Sequence, residues 1–326
     1  GNDLVVQGCK FPDNLDKYDV NNYARYGGEH YSCDLMYDKM VKFVEDNASS
    51  PFFVMWTTTV PHSAVQAPLD EVMHYVDKLG DEEPCTDPGM YLPSRDPHAT
   101  YAAMVTHIDK QVGDLVRKLK DLGIWENTIF IVTSDNGPAS NGNSPMEYFQ
   151  SGGPFKCGKG WGKSSLHEGG IRMPFVLRWG QGKQCERIQR ISIFADIMPT
   201  LAEIAGVEAP ENDGVSFAST VLSQTAGGKL YSKTSGIKAG EQKEHEYLYF
   251  EFQELGGRQA VRKGPWKLVR LNVRGDIDHY ELYNLDKDPA ETNDLSTSNQ
   301  EKVDELKRIM SEAHVPNRDF PLLKGE

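Results

Sequence analysis

The residues of this 326-residue chain best suited to chemistry stand in Ser134-Asp135-Asn136-Gly137-Pro138. A carboxylate and a carboxamide side by side offer hard oxygen donors of the kind Ca²⁺ or Mg²⁺ takes. The same run also reads as a plain strand-to-turn exit, because Asp and Asn-Gly are common turn formers. Two further groups stand out: His62, which follows Val60-Pro61, and Lys163, in the run Gly158-Lys-Gly-Trp-Gly-Lys163. Lys156 and Lys159 compete with Lys163 for any anion-facing role. Hydrolysis of an anionic ester needs such a set. A divalent ion polarises a non-bridging oxygen, a Lys holds the remaining oxygens, and a His protonates the departing alcohol. An obvious nucleophile is missing from it.

The elements that would position these groups are hydrophobic runs. Thr128-Ile-Phe-Ile-Val-Thr133 is wholly β-branched or aromatic, as a strand prefers. Its continuous apolar centre predicts a strand buried on both faces of a parallel sheet. Asp135 and Asn136 would then lie at the carboxyl edge, where open α/β sheets bind their ligands. Phe52-Phe-Val-Met-Trp56 reads as a second buried strand ending before His62, and Phe175-Val-Leu-Arg-Trp179 as a third. Helices are expected from about Asp34 to Glu45, from Leu69 to Leu79, and from Pro97 to Leu122. In the last of these, Tyr101, Met104, Val105, Ile108, Val112, Leu115, Val116 and Leu119 recur at three- and four-residue steps. A helix carrying Phe194, Ile197, Leu201 and Ile204 ends at Gly206. Helix-then-strand order, met twice, points to an α/β sheet.

Residues 1–30 read as irregular. Residues 218–246, rich in Ser, Thr, Gly, Lys and Glu, read as a linker or exposed insertion. Beyond them the pattern changes to consecutive strands, at 247–252, 258–262, 266–271 and 280–283, then one amphipathic helix over about 298–313. The expected organisation is a partial α/β catalytic domain over 1–217, the linker, and a small α+β subdomain over 247–326, with an antiparallel sheet and one helix.

Composition narrows the function. A net charge of −13 argues against nonspecific binding to nucleic acid, which needs Lys and Arg to displace counterions. No apolar run approaches the ~18 residues of a membrane span. The five cysteines, Cys9, Cys33, Cys85, Cys157 and Cys185, include no Cys-x-x-Cys pair, so zinc and dithiol chemistry are not expected. One disulfide would be compatible with the count, and the redox compartment stays open.

Several motifs in register resemble the sulfatase family of the alkaline-phosphatase-like group. They are Pro61-His62, Tyr101-Ala-Ala-Met-Val-Thr-His-Ile-Asp-Lys-Gln-Val-Gly113 ahead of Glu126-Asn-Thr128, and Ser134-Asp-Asn-Gly137. Lys163 stands five residues before Glu168-Gly-Gly-Ile-Arg-Met-Pro174. Ala260-Val-Arg-Lys-Gly-Pro-Trp-Lys-Leu-Val269 and Glu281-Leu-Tyr-Asn-Leu-Asp-Lys-Asp-Pro289 resemble the family's C-terminal subdomain.

The resemblance implies hydrolysis of sulfate esters, aryl or carbohydrate, with Asp135 and Asn136 as Ca²⁺ ligands. It makes Lys163 the sulfate contact and puts His62 by the leaving-group oxygen. It implies a sulfated small molecule or glycan as partner, and a periplasmic or secreted setting for a full-length member. Glu168 to Arg172 reads as a structural turn with Arg172 paired internally, while His107 and His167 have no assigned role.

The family's Cys-x-Pro-x-Arg or Ser-x-Pro-x-Arg, whose first residue becomes the formylglycine nucleophile, does not occur in these residues. In Tyr91-Leu-Pro-Ser-Arg95 a tyrosine holds that place. The likeness is therefore to the C-terminal two-thirds of a sulfatase, and the chain alone is expected to be inactive and to bind little Ca²⁺. Self-association, or pairing with a separate N-terminal piece, would cover an apolar sheet edge. The competing readings are another phosphoesterase of the wider group and a non-catalytic module that binds sulfated glycans.

Overall fold

The longest apolar stripe forms the longest helix, Pro97–Asp121. This computed structural model describes residues 10–140, 143–179, 187–224, 243–277 and 279–326. The chain divides into two compact units, one of Gly1–Trp125 with Ala139–Ser151, the other of Glu126–Pro138 with Gly152–Glu326.

The first unit is helical. It contains α1 (Ser32–Asp46), α2 (Leu69–Leu79) and α3 (Pro97–Asp121). Pro97 occupies the first turn of α3, where its missing N–H costs nothing. The Glu82 carboxylate accepts the N–H groups of His98 and Ala99 at 2.8 and 3.0 Å, filling the role of an N-terminal cap. Gly123, at φ +71°, follows the C-terminal turn. The core joins Cys33, Val60, Val65 and Met104, and separately Val72, Ala99 and Ala103. His107, buried on α3, sits between Asp34 of α1 (Nε2 to Oδ1 2.8 Å) and Glu71 of α2 (Nδ1 to Oε2 2.9 Å). It is a helix-joining residue.

The expected strand Phe52–Trp56 does not form. The segment is extended but joins no ladder. Phe53 and Met55 are 70% and 73% exposed, while Phe52 and Trp56 lie against Phe43 and Tyr37 of α1. Alternation of this kind is strand-like, but a strand needs a neighbour, and none among the described residues pairs with it.

The second unit holds all the strands among the described residues. β1 (Ile129–Thr133) pairs antiparallel with β2 (Phe175–Trp179), with Ile131 opposite Leu177. This corrects the expectation of a parallel sheet buried on both faces, because Val132 and Thr133 are exposed. The chain between the strands doubles back through the short helix α4 (Glu168–Ile171), so β2 returns in the opposite sense. The next helix is α5 (Ile197–Ala205), which ends at Gly206 in the left-handed region. Ala218–Gln224 then forms α6, where a linker was expected. Phe217 and Val221 bury against Trp179, apolar anchors that the polar composition of 218–246 obscured. Residues 225–242 lie outside the described residues.

Four strands follow in sequence order as an antiparallel meander: β3 (Leu248–Phe252), β4 (Arg258–Lys263), β5 (Trp266–Leu271) and β6 (His279–Asn284). Alternation divides the sheet's two faces. Val261, Leu268 and Leu282 pack under the C-terminal helix Gln300–Ala313 through Val303, Leu306, Ile309 and Met310. Ala260 and Val269 face the other way and bury Leu166. The whole is an α/β fold with an α+β C-terminal part. Cys33, Cys85 and Cys157 are free thiols, and Cys9 and Cys185 lie outside the described residues.

Candidate functional site

The sequence-predicted residues of the second unit gather around one turn, Gly169–Gly170. The Gly137 N–H donates to the Gly170 carbonyl at 2.9 Å, and the Lys163 N–H donates to the Pro138 carbonyl at 2.7 Å. These bonds tie the segment after β1 to the segment before α4. The packing requires glycine on both sides. A Cβ on Gly137 would lie 1.9 Å from the Gly169 carbonyl oxygen. On Gly169 it would meet the Lys156 and Trp161 carbonyls at 2.1 and 2.6 Å, and on Gly170 those of Ser165 and Gly162 at 2.3 and 2.5 Å. Backbone, not flexible side chain, fills each position.

Asp135 is exposed, and its carboxylate has no hydrogen bond or ion pair among the described residues. Asn136 donates through Nδ2 to the Gly137 carbonyl at 2.9 Å, which leaves its Oδ1 to accept. Lys163 is exposed and forms no ion pair among the described residues. Two uncommitted oxygen donors and an uncommitted ammonium are thus carried by backbone segments in contact. The donors suit Ca²⁺ in kind but not in number, since the ion takes six to eight oxygens. Among the described residues no group of three or more His, Cys, Asp or Glu is placed to hold a metal. The residues present do not by themselves make a calcium site.

His62 belongs to the first unit. Its Nδ1 lies 2.8 Å from the Ser63 carbonyl, where it donates, and its ring meets Tyr91 edge-on at 5.8 Å.

The turn is anchored from below by buried charge, which the sequence signalled only weakly. Glu168 Oε1 accepts from Lys267 Nζ at 2.8 Å, and Lys267 Nζ also meets Glu291 Oε1 at 2.9 Å. The Glu168 N–H donates to Glu291 Oε2 at 2.6 Å. Arg172 and Arg262 reach Glu168 Oε2 at 3.1 and 3.7 Å, so the internal pairing expected of Arg172 is present. Burial pushes the Glu168 carboxyl up, but Lys267, then Arg262 and Arg172, outweigh it and hold it below the usual range. Lys267 stands opposite Arg262 in the β4–β5 ladder, on the face that also bears Ala260 and Val269. A lysine between Trp266 and Leu268-Val269 was the one available signal.

His167, without a role in the sequence, is the second anchor. Its Nδ1 lies 2.8 Å from Ser165 Oγ and its Nε2 2.7 Å from Glu281 Oε2 on β6. Its ring lies tilted against Trp161, with centroids 4.1 Å apart. Burial would raise Glu281, but the His167 contact, helped by His279 and Tyr283, takes it down to about 2.

Comparison with known proteins identifies the family. The sulfatase family profile matches residues 6–207, and that of the N-sulphoglucosamine sulphohydrolase C-terminal region matches 159–315. N-acetylgalactosamine-6-O-sulfatase of Bacteroides thetaiotaomicron is 26% identical over 306 residues, covering 85% of this chain and 50% of its own. The human N-acetylgalactosamine-6-sulfatase is also 26% identical, with 87% and 52% covered. The solved structure of Ps i-CgsB in complex with k-i-k-neocarrahexaose shares the fold, with a TM-score of 0.62 at 24% identity, covering 87% of this chain and 55% of that one. The chain spans about half the length of the curated relatives it matches, rather than two-thirds. With its profile match over residues 6–207, the chain belongs to the sulfatase family.

Proposed function

We propose that this chain is the sulfate-holding half of a hydrolase acting on carbohydrate sulfate esters. The observation that supports it is the backbone contact of the segment after β1 with the Lys163 segment and with the Gly169–Gly170 turn. Relatives named for N-acetylgalactosamine 6-sulfate support a sulfated sugar as substrate. In this reading the Lys163 ammonium holds a sulfate oxygen by a charge-assisted bond. Asp135 and Asn136 offer two oxygens of the kind a calcium ion takes, too few to hold it without further ligands. In the same reading His62 supplies the proton for the departing sugar oxygen.

No residue of the chain matches the family's nucleophile motif, so the isolated chain binds sulfated sugar without turning it over. Purified chain incubated with a chromogenic aryl sulfate and Ca²⁺ is expected to release no alcohol above a buffer blank. Turnover that Asp135→Ala abolishes would overturn this reading, since it would show a complete site within these residues.

A further inference from the structure

We propose that Lys156, with Lys159, forms a second anion subsite beside Lys163, one that takes the next charged group along a sulfated oligosaccharide. The inference rests on Lys163 being the sulfate contact. Between Ser151 and Arg172 stand four basic residues, Lys156, Lys159, Lys163 and Arg172, against one acid, Glu168. Glu168 is already engaged by Lys267 and Arg172. In a chain of net charge −13, this loop is a local island of positive charge. Its lysines are exposed and form no ion pair among the described residues.

A bland alternative is three solvated lysines, and the geometry of Lys156 argues against it. Its ammonium sits 3.5 Å above the Trp161 ring centroid, a cation–π contact that fixes a normally flexible side chain. Trp161 itself packs against the His167 ring, and His167 is bonded to Glu281 of β6. Lys156 is thus held in place through ring and imidazole from the C-terminal sheet. Its backbone carbonyl packs on Gly169 beside that of Trp161, while the carbonyl of Gly162, the residue before Lys163, packs on Gly170. The two lysines therefore leave adjacent positions on one rigid turn.

Asp288 feels the Lys156 charge. Its oxygens are already taken by the Thr292 N–H and hydroxyl and the Asn293 N–H, so it does not neutralise the ammonium by direct pairing. A pre-placed cation spends little entropy on binding, and a second anion on the same sugar chain gains from being tethered to the first.

The test uses the full chain and two probes of equal length. One is a tetrasaccharide sulfated on adjacent rings, the other carries a single sulfate. Binding is followed by titration calorimetry at low and at raised salt. The double variant Lys156→Ala, Lys159→Ala is expected to bind the multiply sulfated probe about tenfold more weakly, with a shallower salt dependence, and the singly sulfated probe unchanged. Lys156→Arg should restore most of the loss.

Lys163→Ala should weaken both probes. If it weakens neither while the double variant still separates them, the Lys163 reading fails and the basic subsite stands on its own. Equal loss on both probes in the double variant, or no loss on either, overturns the subsite. So does duplex DNA competing as well as the multiply sulfated sugar, and so does failure of the wild-type chain to bind that sugar.

Discussion

The two sheets of the second unit are built from similar strands and end up in opposite condition. In the four-stranded sheet every strand has its neighbour within the chain, one face is covered by the helix Gln300–Ala313, and Leu166 packs on the other. Ala260, Val261, Leu268, Val269 and Leu282 are fully buried there. Among the described residues the β1–β2 pair has two strands only, and it leaves Val132, Phe175 and Val176 exposed, the last by 62%. Apolar content does not distinguish them. What differs is whether a partner is present to cover it. The stable sheet carries the anchors of the Gly169–Gly170 turn, so the site depends on the covered sheet, while the strand leading to Asp135 lies in the uncovered one.

That contrast gives a graded series of substitutions. The largest effect belongs to Lys267→Met. It leaves Glu168 and Glu291 buried without their shared cation, and denaturant unfolding should show a loss of about 3–5 kcal/mol. Leu306→Ala, under the same sheet, should cost about 2–5 kcal/mol by transfer and cavity terms. A loss under about 0.5 kcal/mol at both sites would break the contrast.

Acid provides a third, milder probe. Glu281 titrates near 2 in the folded chain, against an ordinary 4.5. A carboxyl depressed by folding contributes stability above its unfolded value and loses it as the pH falls through its folded value. The window is therefore pH 4.5 down to 2. Glu281→Gln should flatten the fall in stability across that window, measured by unfolding at stepped pH. The smallest effect is expected on the uncovered pair, where Val176→Thr should change stability by about 0.5 kcal/mol or less.

Much of the fold is legible in the sequence where local pattern decides. The stripe of α3, the run of Trp179 and the meander from Leu248 to Asn284 lie close to where periodicity puts them. The strand expected at Phe52–Trp56 and the parallel pairing expected of β1 fail for one physical reason. A continuous apolar run says that a segment wants cover, not that cover is present or in which sense a neighbour runs. Lys163 could be told from Lys156 and Lys159 only by family spacing. His167 was illegible because its partner Glu281 lies 114 residues away in sequence, a contact no local pattern announces. The Glu168–Lys267–Glu291 cluster was hidden for the same reason.

The most direct measurement is amide NMR of the chain titrated with a 6-sulfated N-acetylhexosamine. Gly137, Lys163, Gly169 and Gly170 are expected to shift together along one binding curve, and Lys163→Ala to abolish the response. Saturable shifts confined to other parts of the chain, or a response unchanged in Lys163→Ala, would contradict a sulfate-holding site at this turn.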